Sequence, residues 1–177
     1  MRIFRYISID RAAITAITVI ALDQWTKWWA FNATTPGETI SVFPGVSIGQ
    51  TRNEGIAFGF LADRPVLVFG LMAVALAILV FSYVKHRQQP VLWLATGLLM
   101  GGAIGNAIDR VTLGYVRDFI EVPKFPSFNL ADVAITVGVV ILVLAVEQRH
   151  QLEKRLADDT AAEESDRPQD TEDVTAD

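Results

Sequence analysis

Residues 101–132 read GGAIGNAIDRVTLGYVRDFIEVPKFPSFNLAD. The stretch leaves one apolar segment, gathers Asp, Arg and Asn, and enters another. Ionisable side chains at the edge of a membrane-spanning helix are costly to hold there, so they are read first as functional. Asp109, Asp118 and Asp132 stand within it, and the rest of the chain is organised around them.

Outward from this stretch, the apolar residues come in blocks at 12–31, 66–84, 91–108 and 130–146 rather than at amphipathic spacing. Each block approaches the roughly 20 residues that a helix needs to cross about 30 Å of hydrocarbon. The expected fold is therefore an all-α membrane protein, four transmembrane helices with a small extracytoplasmic β-segment. That β-rich outer segment is placed at residues 37–60, where short β-prone runs are broken by Pro44-Gly45 and by Asn53-Glu54-Gly55.

Lysine and arginine in the short flanks set the orientation. Arg2, Arg5 and Arg11 precede the first block, Lys85 and Arg87 lie between the second and third, and Arg149, Lys154 and Arg155 follow the last. Both termini are then cytoplasmic, and the connections 32–65 and 109–129 face outward. The first block is long, polar at its far end and without a small-residue cleavage site, so it reads as a retained span rather than a removable signal. Residues 1–150 form a four-span membrane domain. Residues 151–177 carry ten acids against three bases and are expected to be a disordered acidic cytoplasmic tail.

Composition removes several chemistries. The chain has no cysteine, which excludes thiol catalysis, a disulfide framework and the usual thiolate zinc sites. Its two histidines, His86 and His150, flank spans on the cytoplasmic side and do not suit a His-based triad. Trp25, Trp28 and Trp29 fit an interfacial aromatic belt. Gly97, Gly101 and Gly105 recur every four residues, the spacing that lets a neighbouring helix approach closely.

The topology brings the membrane-edge polar residues to one depth near the outer surface. Span one runs outward, so Asp23 and Lys27 lie in its outer part on one face and can pair. Span three ends at Asn106, Asp109 and Arg110, and span four begins at Asn129 and Asp132. Asp118, in the outer loop, can fold back against Asp132. Two carboxyls sharing one proton can activate a water and protonate a leaving group, the aspartic-protease solution to peptide hydrolysis. Spacing alone leaves alternatives open: Asp118 paired to Arg117 or Arg110 with Asp132 a helix cap, an ion-coupled transporter, a non-catalytic assembly factor, or a serine-lysine pair at Ser127 and Lys124.

Five blocks, DQWTK (23–27), NEGIAF (53–58), GGAIGNAIDR (101–110), VRDFI (116–120) and FNLAD (128–132), resemble in order those of lipoprotein signal peptidase (signal peptidase II). The resemblance covers residues 12 to about 146. It implies a multi-pass aspartic endopeptidase of the bacterial inner membrane, with its active site near the periplasmic surface. Such an enzyme cuts diacylglyceryl-modified prolipoproteins just before the lipidated cysteine. Carried over, Asp118 and Asp132 are the catalytic dyad. Asp23, Lys27, Asn53, Gly55, Gly102, Gly105, Asn106, Asp109, Arg110, Val116, Asn129 and Ala131 bind substrate or support the site. The implied partners are prolipoproteins and membrane lipids, with no metal, no cofactor and no nucleic acid. Arg117, directly before Asp118, receives no role from the resemblance.

Overall fold

The computed structural model describes residues 3–54 and 91–165. The expected second span at 66–84, Gly55 and the rest of the β-rich segment beyond residue 54 lie outside the described residues. Within them the order is α1 (Ile3–Ala33), β1 (Ile40–Phe43), β2 (Val46–Asn53), α2 (Leu92–Leu113), β3 (Val116–Glu121) and α3 (Leu130–Ser165). The chain divides into two compact units, Met1–Leu142 and Val143–Asp177, and every residue of the site discussed below belongs to the first.

The expected glycine spacing acts on two helices. A Cβ at Gly97 would lie 2.8 Å from the Ala12 carbonyl oxygen, and one at Gly101 2.9 Å from that of Ala16. Helices α1 and α2 therefore meet backbone to backbone, which only the missing side chain permits. Gly102, one position on, faces α3 instead: its Cβ would come within 2.5 Å of the Ala131 carbonyl oxygen.

Among the described residues, one helix, over Leu130–Thr160, is long and apolar enough to cross a membrane by length and composition. Its most apolar window has mean hydropathy 2.4 and is only 17% buried. Val139, Val140, Val143, Leu144 and Val146 of α3 are all exposed, as are Ile14, Ile17 and Leu22 of α1. A run of exposed aliphatic side chains on helices whose polar groups are turned inward suits hydrocarbon as the surrounding medium. Helix α1 lowers its own hydropathy with Asp23 and Lys27, both fully buried.

The hairpin expected between residues 37 and 60 is present as β1 and β2, turning at Pro44-Gly45, where Gly45 has φ 81°. It gains a third strand from the connection 109–129, so the antiparallel sheet runs β1-β2-β3. Ala30 at the end of α1, Ile48 of β2 and Phe119 of β3 form its small buried core.

Three expectations need correction. Asp109 and Arg110 lie inside α2, which continues to Leu113 and stops where Gly114 takes φ 84° and its N–H bonds the Arg110 carbonyl. Asp118 is on a strand rather than in a loop; Thr51 stands opposite it, Arg52 opposite Arg117 and Asn53 opposite Val116. The expected disordered tail from residue 151 is helical through Ser165. Ala, Leu, Glu, Lys and Arg favour helix in that stretch. Side-chain pairs one turn apart also support it, Arg149 with Glu153 and Gln151 with Glu147.

Candidate active site

The first turn of α3 shows why a helix begins after Asn129. The Asn129 side-chain oxygen accepts the Asp132 N–H at 3.0 Å, and an Asp132 carboxylate oxygen accepts the Asn129 N–H at 3.2 Å. This is a reciprocal capping box with Asn as N-cap and Asp at the third helical position, satisfying two backbone donors at once. It holds the Asp132 carboxylate at the positive end of the helix. The other Asp132 oxygen accepts a 2.8 Å bond from the Asn106 amide of α2.

Asp118 arrives from the opposite direction. A register shift between Ile48 and Thr51 places one extra residue on β2 against β3, the kind of bulge that re-aims side chains near a site. Beyond it, the Asn53 amide donates to one Asp118 oxygen at 2.9 Å. The chain then folds back on itself. A turn at Val122–Phe125, with Lys124 at φ 65°, returns the backbone so that Phe128 exchanges hydrogen bonds with Ile120. That return brings the Asn129 amide to the other Asp118 oxygen at 2.6 Å.

Asn129 thus touches both acids, one through its backbone N–H and one through its amide. Asp118 is buried, at 1% exposure, whereas Asp132 is half-buried and lines a cavity of about 520 Å³. Asn53, Phe125, Pro126, Ser127, Phe128, Val133, Thr136 and Val137 complete its walls. Burial pushes the Asp118 carboxyl up to about 6, against the hydrogen bond from Asn53; the neighbouring Asp132 charge raises it further, and Asn129 and Lys27 pull it down.

Beneath the two acids lies a buried charge cluster. The Lys27 ammonium contacts Asp23 at 2.8 Å, Asp109 at 3.3 Å and the Asn106 side-chain oxygen at 2.9 Å, which uses all three of its donors. Lys27, Asp23 and Asp109 are each 0% exposed. Asp23 also accepts the Ala131 N–H at 2.9 Å. The Asn106 oxygen receives a second donor, the Asn129 amide at 3.1 Å.

The structure therefore gathers Asp23, Lys27, Asn53, Asn106, Asp109, Asn129, Ala131 and Asp132 around Asp118. Val116 is buried at the start of β3. A Cβ at Gly105 would meet Asp23 at 2.7 Å, and Arg110 faces Asp132, Asp118 and Asp109 electrostatically. Two further members are Gln24, to which the sequence assigns no role, and Arg117, which it offers only as an alternative partner of Asp118. The Gln24 amide donates to Asp23, to Asp109 and to the Gly105 carbonyl, at 3.2, 3.2 and 3.1 Å. Arg117 bonds Asp109 and Gln24. The available signal for Arg117 was a base directly before Asp118 and eight residues after Asp109. Ser127 accepts a bond from Thr51 at 3.0 Å, while Lys124 is exposed, so the serine-lysine pairing gains no support.

The chain is similar to known proteins. The family described as Signal peptidase (SPase) II matches residues 15–147. The lipoprotein signal peptidase of Acinetobacter baylyi is 38% identical over 138 residues, covering 73% of this chain and 77% of the relative. That of Halothermothrix orenii is 35% identical over 140 residues, covering 78% and 97%. A solved structure described as a bacterial membrane enzyme, determined by the in meso method at 2.3 Å resolution, superposes with TM-score 0.73 at 33% identity. It covers 77% of this chain and 87% of its own.

Proposed function

The chain belongs to the signal peptidase II family, and from that membership we propose that it removes signal peptides from diacylglyceryl-modified prolipoproteins with Asp118 and Asp132 as its catalytic dyad. It is a membrane peptidase of aspartic type by family. The observation that carries the dyad reading is that Asn129 bonds both carboxyls at once, beside a cavity with apolar walls.

The asymmetry between the two acids supports a division of labour. Asp132 has a backbone donor, an amide donor and the helix terminus to favour its charge, and it borders the cavity. Asp118 is buried and raised, which favours its neutral form. In the proposed reaction Asp132 takes a proton from water as the oxygen attacks the scissile carbonyl carbon, and Asp118 gives its proton to the carbonyl oxygen. As the tetrahedral diol collapses, the C–N bond breaks, the leaving nitrogen takes the proton from Asp132, and a diol hydroxyl returns one to Asp118. Atoms and charge balance, and the dyad is restored.

Four spans, both termini in the cytoplasm, and a site near the periplasmic face of the bacterial inner membrane complete the reading. The exposed aliphatic face of α3 supports contact with membrane lipid. Val133, Thr136 and Val137 on the cavity wall suit apolar substrate groups. The substrate is then reached from the bilayer, and neither nucleic acid nor a cofactor has a part. The test is incubation of purified protein with a diacylglyceryl-modified prolipoprotein and with its unmodified precursor. Cleavage of the first alone, with the new N-terminus at the lipidated cysteine, is the expected result. Equal cleavage of both, or of neither, removes the reading.

A further inference from the structure

Arg117 has no part in the reaction as written, and its side chain is turned away from the dyad. Alternation along β3 sends Asp118 toward Asn53 and Asn129, and sends Arg117 and Phe119 toward α1. The guanidinium forks onto the Asp109 carboxylate, with one nitrogen 2.7 Å from Oδ1 and Nε 3.3 Å from Oδ2, and it also donates to the Gln24 side-chain oxygen at 2.9 Å. The backbone N–H of Arg117 donates to the same carboxylate at 3.0 Å. The residue immediately before Asp118 is therefore held twice by one fully buried acid of α2.

The other half of the dyad repeats the pattern. The N–H of Ala131, immediately before Asp132, is held by Asp23 of α1 at 2.9 Å. Lys27 joins the two holding carboxylates, at 2.8 Å to Asp23 and 3.3 Å to Asp109. A continuous line of contacts thus runs Ala131, Asp23, Lys27, Asp109, Arg117, from the neighbour of one dyad acid to the neighbour of the other. Two acids and two bases make it neutral.

We infer that Arg117 is a positioning residue, whose fork on Asp109 closes a buried caliper through Lys27 and Asp23 that sets the separation of Asp118 from Asp132. The inference rests on the dyad reading above. A single backbone hydrogen bond lets a strand pivot about it; a planar two-point fork fixes distance and orientation together. A misplacement of about 1 Å at a reacting group costs on the order of 10²-fold in rate. Separation also sets the coupling of the acids, because neighbouring like charges drive the apparent pKa values of a pair apart. Loosening the caliper draws those values together and narrows the pH–rate profile from both sides. The other groups facing Asp118 are Asp132 and Asn129 at the start of α3, Asn53 of β2, Lys27 of α1 and Arg110 of α2; Arg117→Met replaces none of them but leaves the cluster one charge more negative, which moves both limbs of the profile the same way, so its width rather than its position reports the separation.

The test uses the full chain in detergent with a diacylglyceryl-modified prolipoprotein, comparing wild type, Arg117→Met, Arg117→Lys and Asp118→Asn for kcat, KM, profile width and thermal stability. The expected result for Arg117→Met is a kcat lowered by about tenfold or more, KM within about twofold of wild type, and a narrowed profile. Arg117→Lys, which keeps the charge without the fork, recovers only part of the turnover. Wild-type kcat and profile width in Arg117→Met overturn the proposal. So does a loss of turnover that only tracks the loss of folded enzyme with the width unchanged. Should Arg117→Met yield no folded enzyme, full turnover and full width in Arg117→Lys overturn it equally. Activity in Asp118→Asn sinks the dyad itself; an inactive Asp118→Asn beside an unaffected Arg117→Met sinks the caliper alone.

Discussion

Asp118→Asn separates the chemistry of the proposed dyad from its stability, because the substitution moves the two in opposite directions. In the folded protein burial holds the Asp118 carboxyl at about 6, against an ordinary 3.8. A group whose folded pKa is raised binds more protons folded than unfolded, so its favourable contribution is complete below about pH 4 and is lost as pH rises through about 6. A difference of about 2.2 in pKa, at about 1.36 kcal/mol each, comes to about 3 kcal/mol withdrawn by the time Asp118 is ionised. Asparagine keeps the shape and never ionises. Asp118→Asn is therefore expected to unfold like wild type at about pH 4 and to be more stable by up to about 3 kcal/mol at about pH 8, while cleaving nothing. The amide can still accept from Asn53 through its oxygen, but its NH₂ faces the Asn129 amide, which lowers the gain unless one side chain flips. Thermal unfolding in one detergent across that pH range, beside the cleavage assay, measures both effects. A wild type whose stability does not fall from acid to neutral pH relative to Asp118→Asn would refute the buried, proton-holding role.

Three further outcomes follow from the same contacts. Lys27→Met strands Asp23, whereas Asp109 keeps Arg117, and a loss of about 3 to 5 kcal/mol is expected; the double change Asp23→Leu with Lys27→Met should be milder, because it also removes the stranded acid, and strictly additive losses in thermal unfolding would contradict the pairing. Lys124→Gly relieves a left-handed residue at the third position of the Val122–Phe125 turn and is expected to stabilise by about 1 kcal/mol, with an unchanged or lowered melting temperature as the contrary result. Gly101→Ala and Gly102→Ala should each cost about 1 to 3 kcal/mol by overpacking, but only Gly102→Ala, which presses on the Ala131 carbonyl one residue before Asp132, should lower kcat in the fraction that remains folded.

Much of this site can be read in the sequence because its parts are set by short-range rules. Asn129 three residues before Asp132 is a cap spacing, Asp23 four before Lys27 is one helical turn, and Gly97 four before Gly101 is a packing stripe. The sheet was only half readable. Ile40 to Asn53 carries its own turn at Pro44-Gly45, whereas VRDFIE at 116–121 becomes a strand only by pairing with β2, a partner more than sixty residues away in the chain. Its short length and its central Arg-Asp pair give no local signal of that. The helical continuation to Ser165 was missed for a different reason: acidity suggested a solvated coil, while pairs one turn apart and strong helix formers favour helix regardless of net charge. The sequence offers Arg117 only as an alternative partner of Asp118, because its pairing depends on Asp109 and Gln24 meeting it in space.

The buried charges are not what joins the helices. Gly97 and Gly101 already let α1 and α2 touch backbone to backbone, and well-packed apolar residues in place of a buried ion cluster are often as stable or more so. Withdrawing Asp23, Lys27 and Asp109 from water costs several kcal/mol per ion before their attraction offsets it. What an apolar replacement lacks is an acceptor for the N–H groups of Ala131 and Arg117, one residue before Asp132 and Asp118 respectively. The first is a helix-terminal donor with no intrahelical partner. The second belongs to the strand that carries Asp118, which the proposed reaction needs held steady beside exchanging water and substrate. Glycine contact and buried charge thus answer separate needs: the glycines set how closely α1 and α2 approach, and the carboxylates, neutralised by Lys27 and Arg117, fix where β3 presents Asp118 and α3 presents Asp132 against those helices.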